Sequence, residues 1–202
     1  MKIKICGLFR ECDIDYVNEA LPDFIGFVFA PGSRRQVSAD QAKNLRRKLK
    51  PEVIPVGVFV NETMATVAQM LKENVIEMAQ LHGTESEKYI LELKVLTGKP
   101  VIKAVRVSSA EDIFQAGRTA ADYLLLDNGT GGTGMTFNWH MLNKEEQLGK
   151  PYFLAGGLNI ANLDQALSAV RPFALDLSSG VETNGIKDRK KILEIVKRVR
   201  YV

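Results

Sequence analysis

Cysteine is nearly absent from this 202-residue chain: Cys6 and Cys12 are the only two. They stand too close together for a framework disulfide, and with two histidines in all, nothing resembles a Cys/His metal cluster. A dominant charge of one sign is missing too. The net charge of +3 gives no global case for nucleic acid or an acidic membrane surface as a partner. No apolar run approaches the roughly 18–20 residues that cross a bilayer. The opening Met1-Lys2-Ile3-Lys4-Ile5 enters a strand directly and has no signal-peptide apolar region, so a cytoplasmic location is expected. Nor is there a Pro/Ser linker or a shift of composition, and a single domain over residues 1–202 is expected. What remains is 46% hydrophobic and 25% charged, the balance of an ordinary soluble domain.

Short β-rich runs alternate with helical stretches from end to end. Strands are predicted at Lys2–Ile5, Phe24–Phe29, Ile54–Val60, Val75–Leu81, Val101–Val105, Tyr123–Leu126, Tyr152–Ala155 and Phe173–Leu177. Helices are predicted near Asp13–Ala20, Ala39–Leu49, Thr63–Lys72, Glu85–Leu96, Ala110–Ala120, Asn159–Val170 and Arg189–Val199, with the weakest helical pattern around Trp139–Leu148. Ser38, Asn61, Thr84 and Ser109 are the expected helix caps. Regular βαβα alternation implies a parallel sheet covered by helices. About eight such units in so short a chain favour closure into a (β/α)8 TIM barrel. The alternative is a doubly wound open sheet. Against it, the first strand runs into Cys6-Gly7-Leu8-Phe9, which is not a dinucleotide glycine fingerprint.

In such a barrel the chemistry sits where the strands end. The sixth strand, Leu124-Leu125-Leu126, finishes in Asp127 and a glycine-rich loop through Gly131-Gly132-Thr133-Gly134. Burying a carboxylate at that tip is costly unless it has partners or work, and glycines let the following loop approach a ligand closely. Period-two alternation sends Ile3 and Ile5 toward the helices and Lys4 and Cys6 into the barrel, while Tyr123, Leu125 and Asp127 share a face. The thiol and the carboxylate then converge on one cavity. The plainer readings are a small buried hydrophobe for Cys6 and a turn or capping acid for Asp127.

Two later segments suggest a phosphate. Ala155-Gly156-Gly157-Leu158 follows the seventh strand and is read as opening a helix, and Leu177-Ser178-Ser179-Gly180 follows the eighth. Loops after those strands are the habitual phosphate site of the fold, because unpaired backbone amides in tight turns and at helix starts favour an anion. Arg34 and Arg35 follow the second strand, where a guanidinium can hold a carboxylate in two-point geometry. One of the pair is read as a solvated loop residue. His82 is either a proton carrier or a hydrogen-bonded structural histidine. The basic runs Lys43–Lys48 and Lys187–Arg200 are read as solvated helix faces.

As a set, Lys4-Ile5-Cys6-Gly7, Gly26-Phe27-Val28-Phe29, Gly57-Val58-Phe59-Val60-Asn61, Gln80-Leu81-His82-Gly83, Leu126-Asp127 with Gly131–Gly134, Ala155-Gly156-Gly157-Leu158 and Asp176–Glu182 resemble, in order, the motifs of the phosphoribosylanthranilate isomerase family. The resemblance covers nearly the whole chain. It implies the third step toward tryptophan, an Amadori rearrangement of a small phosphorylated substrate without cofactor or metal, in a monomer or a homodimer. It implies Cys6 as general base, Asp127 as general acid, and phosphate held at Gly156, Gly157, Ser179 and Gly180. Alignment on Val37-Ser38 selects Arg35 over Arg34 for the anthranilate carboxylate. Many members have a proline or lysine before that arginine, where this chain has Ser33-Arg34-Arg35.

Other readings fit less well. The related histidine-pathway isomerase carries an aspartate where Cys6 stands and two matched phosphate sites, whereas this chain shows one, late in the sequence. A non-catalytic sugar-phosphate-binding barrel would not need the Cys6/Asp127 pair. A nucleic-acid-binding module would need a clustered basic face with aromatic platforms.

Overall fold

The computed structural model describes residues 1–127, 139 and 148–201. Eight parallel strands close into a barrel in chain order: β1 (Lys2–Cys6), β2 (Phe24–Val28), β3 (Ile54–Phe59), β4 (Met78–Leu81), β5 (Val101–Arg106), β6 (Tyr123–Asp127), β7 (Tyr152–Leu154) and β8 (Ala174–Leu177). β8 returns to pair with β1, placing Asp176 opposite Lys4, and no edge strand of the barrel is left exposed. The open-sheet alternative is thereby excluded. Around the barrel lie α1 (Glu11–Ala20), α2 (Ala39–Lys48), α3 (Met64–Lys72), α4 (Glu87–Thr97), α5 (Ala110–Ala116), α6 (Leu163–Ala169) and α7 (Arg189–Arg200). A short antiparallel hairpin, β9 (Glu182–Thr183) with β10 (Ile186–Lys187), sits between β8 and α7. No helix among the described residues is long and apolar enough to cross a membrane.

Alternation along each strand divides the core in two. Ile3, Ile5, Leu124, Leu126, Leu175 and Leu177 point outward into the layer between barrel and helices. Phe24, Val56, Met78, Ile102, Leu125 and Phe153 point inward and plug the barrel, each from a different strand. Two residues further along, the interior positions of several strands turn polar. Met78 gives way to Gln80, Leu125 to Asp127, and Ala174 to Asp176, while β1 contributes Lys4 and then Cys6. An apolar plug thus forms the floor, and a polar layer stands on it at the carboxyl ends of the strands.

The structure departs from the sequence reading mainly at element ends. Asn61 and Thr84 do not cap helices. Asn61 takes a left-handed backbone (φ 51°), and its side-chain oxygen accepts from the Thr84 amide at 2.7 Å and hydroxyl at 3.1 Å, tying two loops together. Thr63 and Ser86 cap α3 and α4 instead, while Ser38 and Ser109 cap as expected. Val75 and Ile76 are buried in the turn after α3, and the fourth strand begins only at Met78. Gly156-Gly157 does not open a helix directly. The Asn159 and Asn162 side chains donate to the Gly157 carbonyl at 3.1 and 3.0 Å, holding a turn that delays α6 to Leu163. The glycine loop Gly131–Gly134 lies outside the described residues, as does the stretch near Trp139–Leu148 apart from its two ends.

Candidate active site

A cavity of about 260 Å³ opens where the strands end, and both Cys6 and Asp127 line it. β1 and β6 carry them there because each is the last interior-facing residue of its strand. Cys12 lies on α1 and does not line the cavity. The Cys6 thiol is free and buried. Burial pushes its pKa up, and the neighbouring Lys4 ammonium draws it partly back. Among the described residues no group of His, Cys, Asp and Glu side chains is arranged to hold a metal ion.

Arg35 lines the same cavity, and its guanidinium is not loose. Glu182 grips it along one edge, with Nε donating at 2.6 Å and Nη2 at 2.8 Å. The end of the fork, Nη1 with the second hydrogen of Nη2, stays available for another carboxylate. The arginine stem crosses directly over Gly7, where a methyl group would stand 2.4 Å from the Arg35 Cδ. The Cys6-Gly7 pair therefore sets the thiol and makes room for the guanidinium. Arg34, 59% exposed, reaches Glu182 only through one longer contact of 3.2 Å. Arg35 lines the cavity and Arg34 does not.

Glu182 was not singled out by the sequence reading, and Lys187 was read as part of a solvated face. The structure corrects the second point: Lys187 is buried, and its ammonium donates to Glu182 Oε1 at 2.6 Å and to the Ser178 carbonyl at 2.9 Å. The cause is the β9–β10 hairpin. Asn184 and Gly185 both take positive φ (52° and 80°), the two-residue turn that pairs Glu182 directly with Lys187. Asn184-Gly185 was the available signal in the sequence. Burial works against the charge of Glu182, yet Arg35 and Lys187 outweigh it and hold the carboxyl below the usual range. From the other basic run, Lys43 pairs with Glu73 near the surface, whereas Arg46 is half-buried where it meets Glu77.

On the far wall, Gly156 and Gly157 take consecutive positive φ values (86° and 70°), and Ser179 begins a single 3-10 turn. The first amides of such a turn have no partner within it and point outward. Gly156, Gly157 and Ser179 line the cavity. Gly180 does not line it but supports it: a methyl group there would stand 1.9 Å from the Leu158 carbonyl oxygen, so the two loops touch at this glycine. His82 faces Asp127 with Nε2 3.8 Å from Oδ2, while Gln80 lies 3.1 Å from its Nδ1. Burial lowers the His82 pKa more than Asp127 raises it.

This barrel has known counterparts. A family model described as N-(5'phosphoribosyl)anthranilate (PRA) isomerase matches residues 3–198. The N-(5'-phosphoribosyl)anthranilate isomerase of Endomicrobium trichonymphae is 45% identical over 203 residues, covering 98% of both chains. The crystal structure of phosphoribosyl anthranilate isomerase from Thermotoga maritima superposes with a TM-score of 0.90 at 34% identity, over 100% of each chain. Another such isomerase, solved with reduced 1-(o-carboxyphenylamino)-1-deoxyribulose 5-phosphate, gives 0.87 at 33% identity, again over 100% of each. With fold and sequence agreeing from end to end, this chain belongs to the N-(5'-phosphoribosyl)anthranilate isomerase family of enzymes.

Proposed function

We propose that this enzyme converts N-(5'-phosphoribosyl)anthranilate to 1-(2-carboxyphenylamino)-1-deoxyribulose 5-phosphate in tryptophan biosynthesis, by general acid/base catalysis. The observation that carries the reading is the convergence of Cys6 and Asp127 on one cavity between Arg35 and the glycine loops. Protonated Asp127 gives its proton to the ribose ring oxygen as the C1–O bond breaks, and the anthranilate nitrogen lone pair forms the C1=N iminium. The iminium acidifies C2. Cys6, as thiolate, removes the C2 proton, and the electrons of that C–H bond form the C1=C2 enol-amine. Collapse of the enol to the C2 ketone moves a proton to C1, so the product has the atoms of the substrate.

Arg35 offers the free end of its fork to the anthranilate carboxylate, while Gly156, Gly157, Ser179 and Gly180 shape a cradle of amides for the phosphate. Distance between the two anchors stretches the substrate across the barrel mouth, with the sugar between thiol and acid. The test is the fluorescence decay of freshly made phosphoribosylanthranilate on addition of the protein. Acceleration is expected, and Cys6→Ala or Asp127→Asn should lose about 10²–10⁴-fold in turnover while staying folded. Absence of any acceleration by the wild-type protein would reject the reading.

A further inference from the structure

Beneath the thiol stands a group that no step of this chemistry employs. Lys4 lies two residues before Cys6 on β1, on the same interior face, and is fully buried. Its Nζ donates to both oxygens of Asp176, at 3.0 and 3.1 Å. Burying an ion pair is costly, and apolar side chains of similar volume commonly serve a core as well or better. The rest of the barrel interior is filled largely by apolar side chains, among them Phe24, Val56, Leu125 and Phe153. Packing the barrel does not require a lysine here.

Room for it is made by a glycine. Gly26 pairs with Cys6 across β1 and β2, and a methyl group on it would stand 2.6 Å from the Cys6 sulfur and 3.2 Å from Lys4 Nζ. A glycine inside a strand weakens it and marks a close approach. What approaches here is a sulfur on one side and an ammonium on the other, both flanking the one position that a side chain on Gly26 would fill.

We propose that Lys4 is a positioning residue for the base: pinned by Asp176, its ammonium is the fixed positive charge beside which Cys6 gives up its thiol proton. This rests on the reading of Cys6 as the base. The thiol proton leaves to solvent, the S–H bond re-forms with the proton taken from the sugar, and Lys4 keeps its three protons throughout. Among the described residues, the other charged or titratable groups around the sulfur are Asp176 on β8, Lys187 on β10, Arg35 after β2, and, across the cavity, Asp127 on β6 with His82 after β4. Burial raises the thiol pKa most; Lys4 is the strongest opposing influence, Asp176 works with burial, and Lys187 works against it. Lys4 itself stays charged, because Asp176 and then Cys6 outweigh the effect of its own burial.

The experiment is alkylation by iodoacetamide, in which the thiolate displaces iodide, followed across pH and resolved by mass spectrometry into Cys6 and Cys12. Lys4→Met is expected to move the Cys6 midpoint up by about one pH unit or more, and Asp176→Asn to move it down, with Cys12 unchanged. In Lys4→Met, kcat should fall about tenfold near pH 7 and recover as pH rises, with KM nearly constant. Because the single variant leaves Asp176 unpaired, Lys4→Met/Asp176→Leu, which keeps the layer apolar and filled, should also show an upward shift. A Cys6 midpoint that stays in place in the folded Lys4→Met or double variant, or that rises in Asp176→Asn, overturns the proposal. The alkylation readout does not depend on turnover. Cys6→Ala with undiminished turnover would instead overturn the base assignment itself.

Discussion

Glu182 holds Arg35 by two hydrogen bonds along a single edge of its guanidinium, at 2.6 and 2.8 Å, and the same carboxylate takes the buried Lys187 ammonium at 2.6 Å. The arginine is thus held in place by a carboxylate of the protein itself. Such preorganisation lowers the ordering cost of binding.

Glu182→Gln keeps the shape but removes the charge that fixes the fork. KM for the anthranilate substrate should rise about tenfold or more, with kcat changed much less, as read by steady-state kinetics. The pH dependence of stability follows from the same contact. Glu182 has a folded-state pKa below its unfolded value of about 4.3, so its contribution is complete above that pH and is lost as pH falls through the folded value. The stability gap between wild type and Glu182→Gln, measured by denaturant unfolding, should therefore be constant near neutrality and close in acid.

The two arginines should separate cleanly. Arg35→Lys cannot reproduce two-point contact to Glu182 while offering a second face to substrate, and KM should rise about tenfold or more. Arg34→Ala removes a 59% exposed side chain with one 3.2 Å contact, and both kinetics and stability should stay within about 0.5 kcal/mol of wild type. Parallel kinetics and thermal melts of the two variants decide it.

Gly180→Ala places a methyl group against the Leu158 carbonyl at the junction of the two glycine loops. Backbone must move to admit it. A stability loss of about 1–3 kcal/mol is expected, together with weakened competitive inhibition by inorganic phosphate or a sugar phosphate. Unchanged inhibition in a destabilised variant would separate loop strain from anion binding.

Asp13 organises the loop that follows Cys6-Gly7. Buried at the start of α1, its carboxylate accepts from the amides of Phe9 and Arg10 and from the Arg10 guanidinium, whose Nη2 also reaches the Lys187 carbonyl at 2.9 Å. Asp13→Ala should cost about 2 kcal/mol or more in denaturant unfolding, because it strands several donors at once.

Closure of the barrel was legible in the spacing of strands and helices, since each βα unit announces itself through local period and polarity. Cys6 and Asp127 were legible for the same reason: each ends a strand whose alternation turns its last side chain inward. Gly156-Gly157 and Ser179-Gly180 stood out through composition. Asn61 and Thr84 misled because a capping side chain is equally able to bond a neighbouring loop, and local sequence does not say which partner is nearer.

The sequence by itself determined the layered barrel and turned the thiol and the acid toward its mouth, because these follow from periods within one βα unit, whereas Arg35 was singled out only by the family resemblance. Only the tertiary structure decided what surrounds them. Lys4 meets Asp176, and Arg35 meets Glu182, across separations of 172 and 147 residues. No local pattern encodes such pairs. They exist because closing β8 against β1 brings the two ends of the chain together, and a buried charge is tolerated only where that closure supplies its counter-charge.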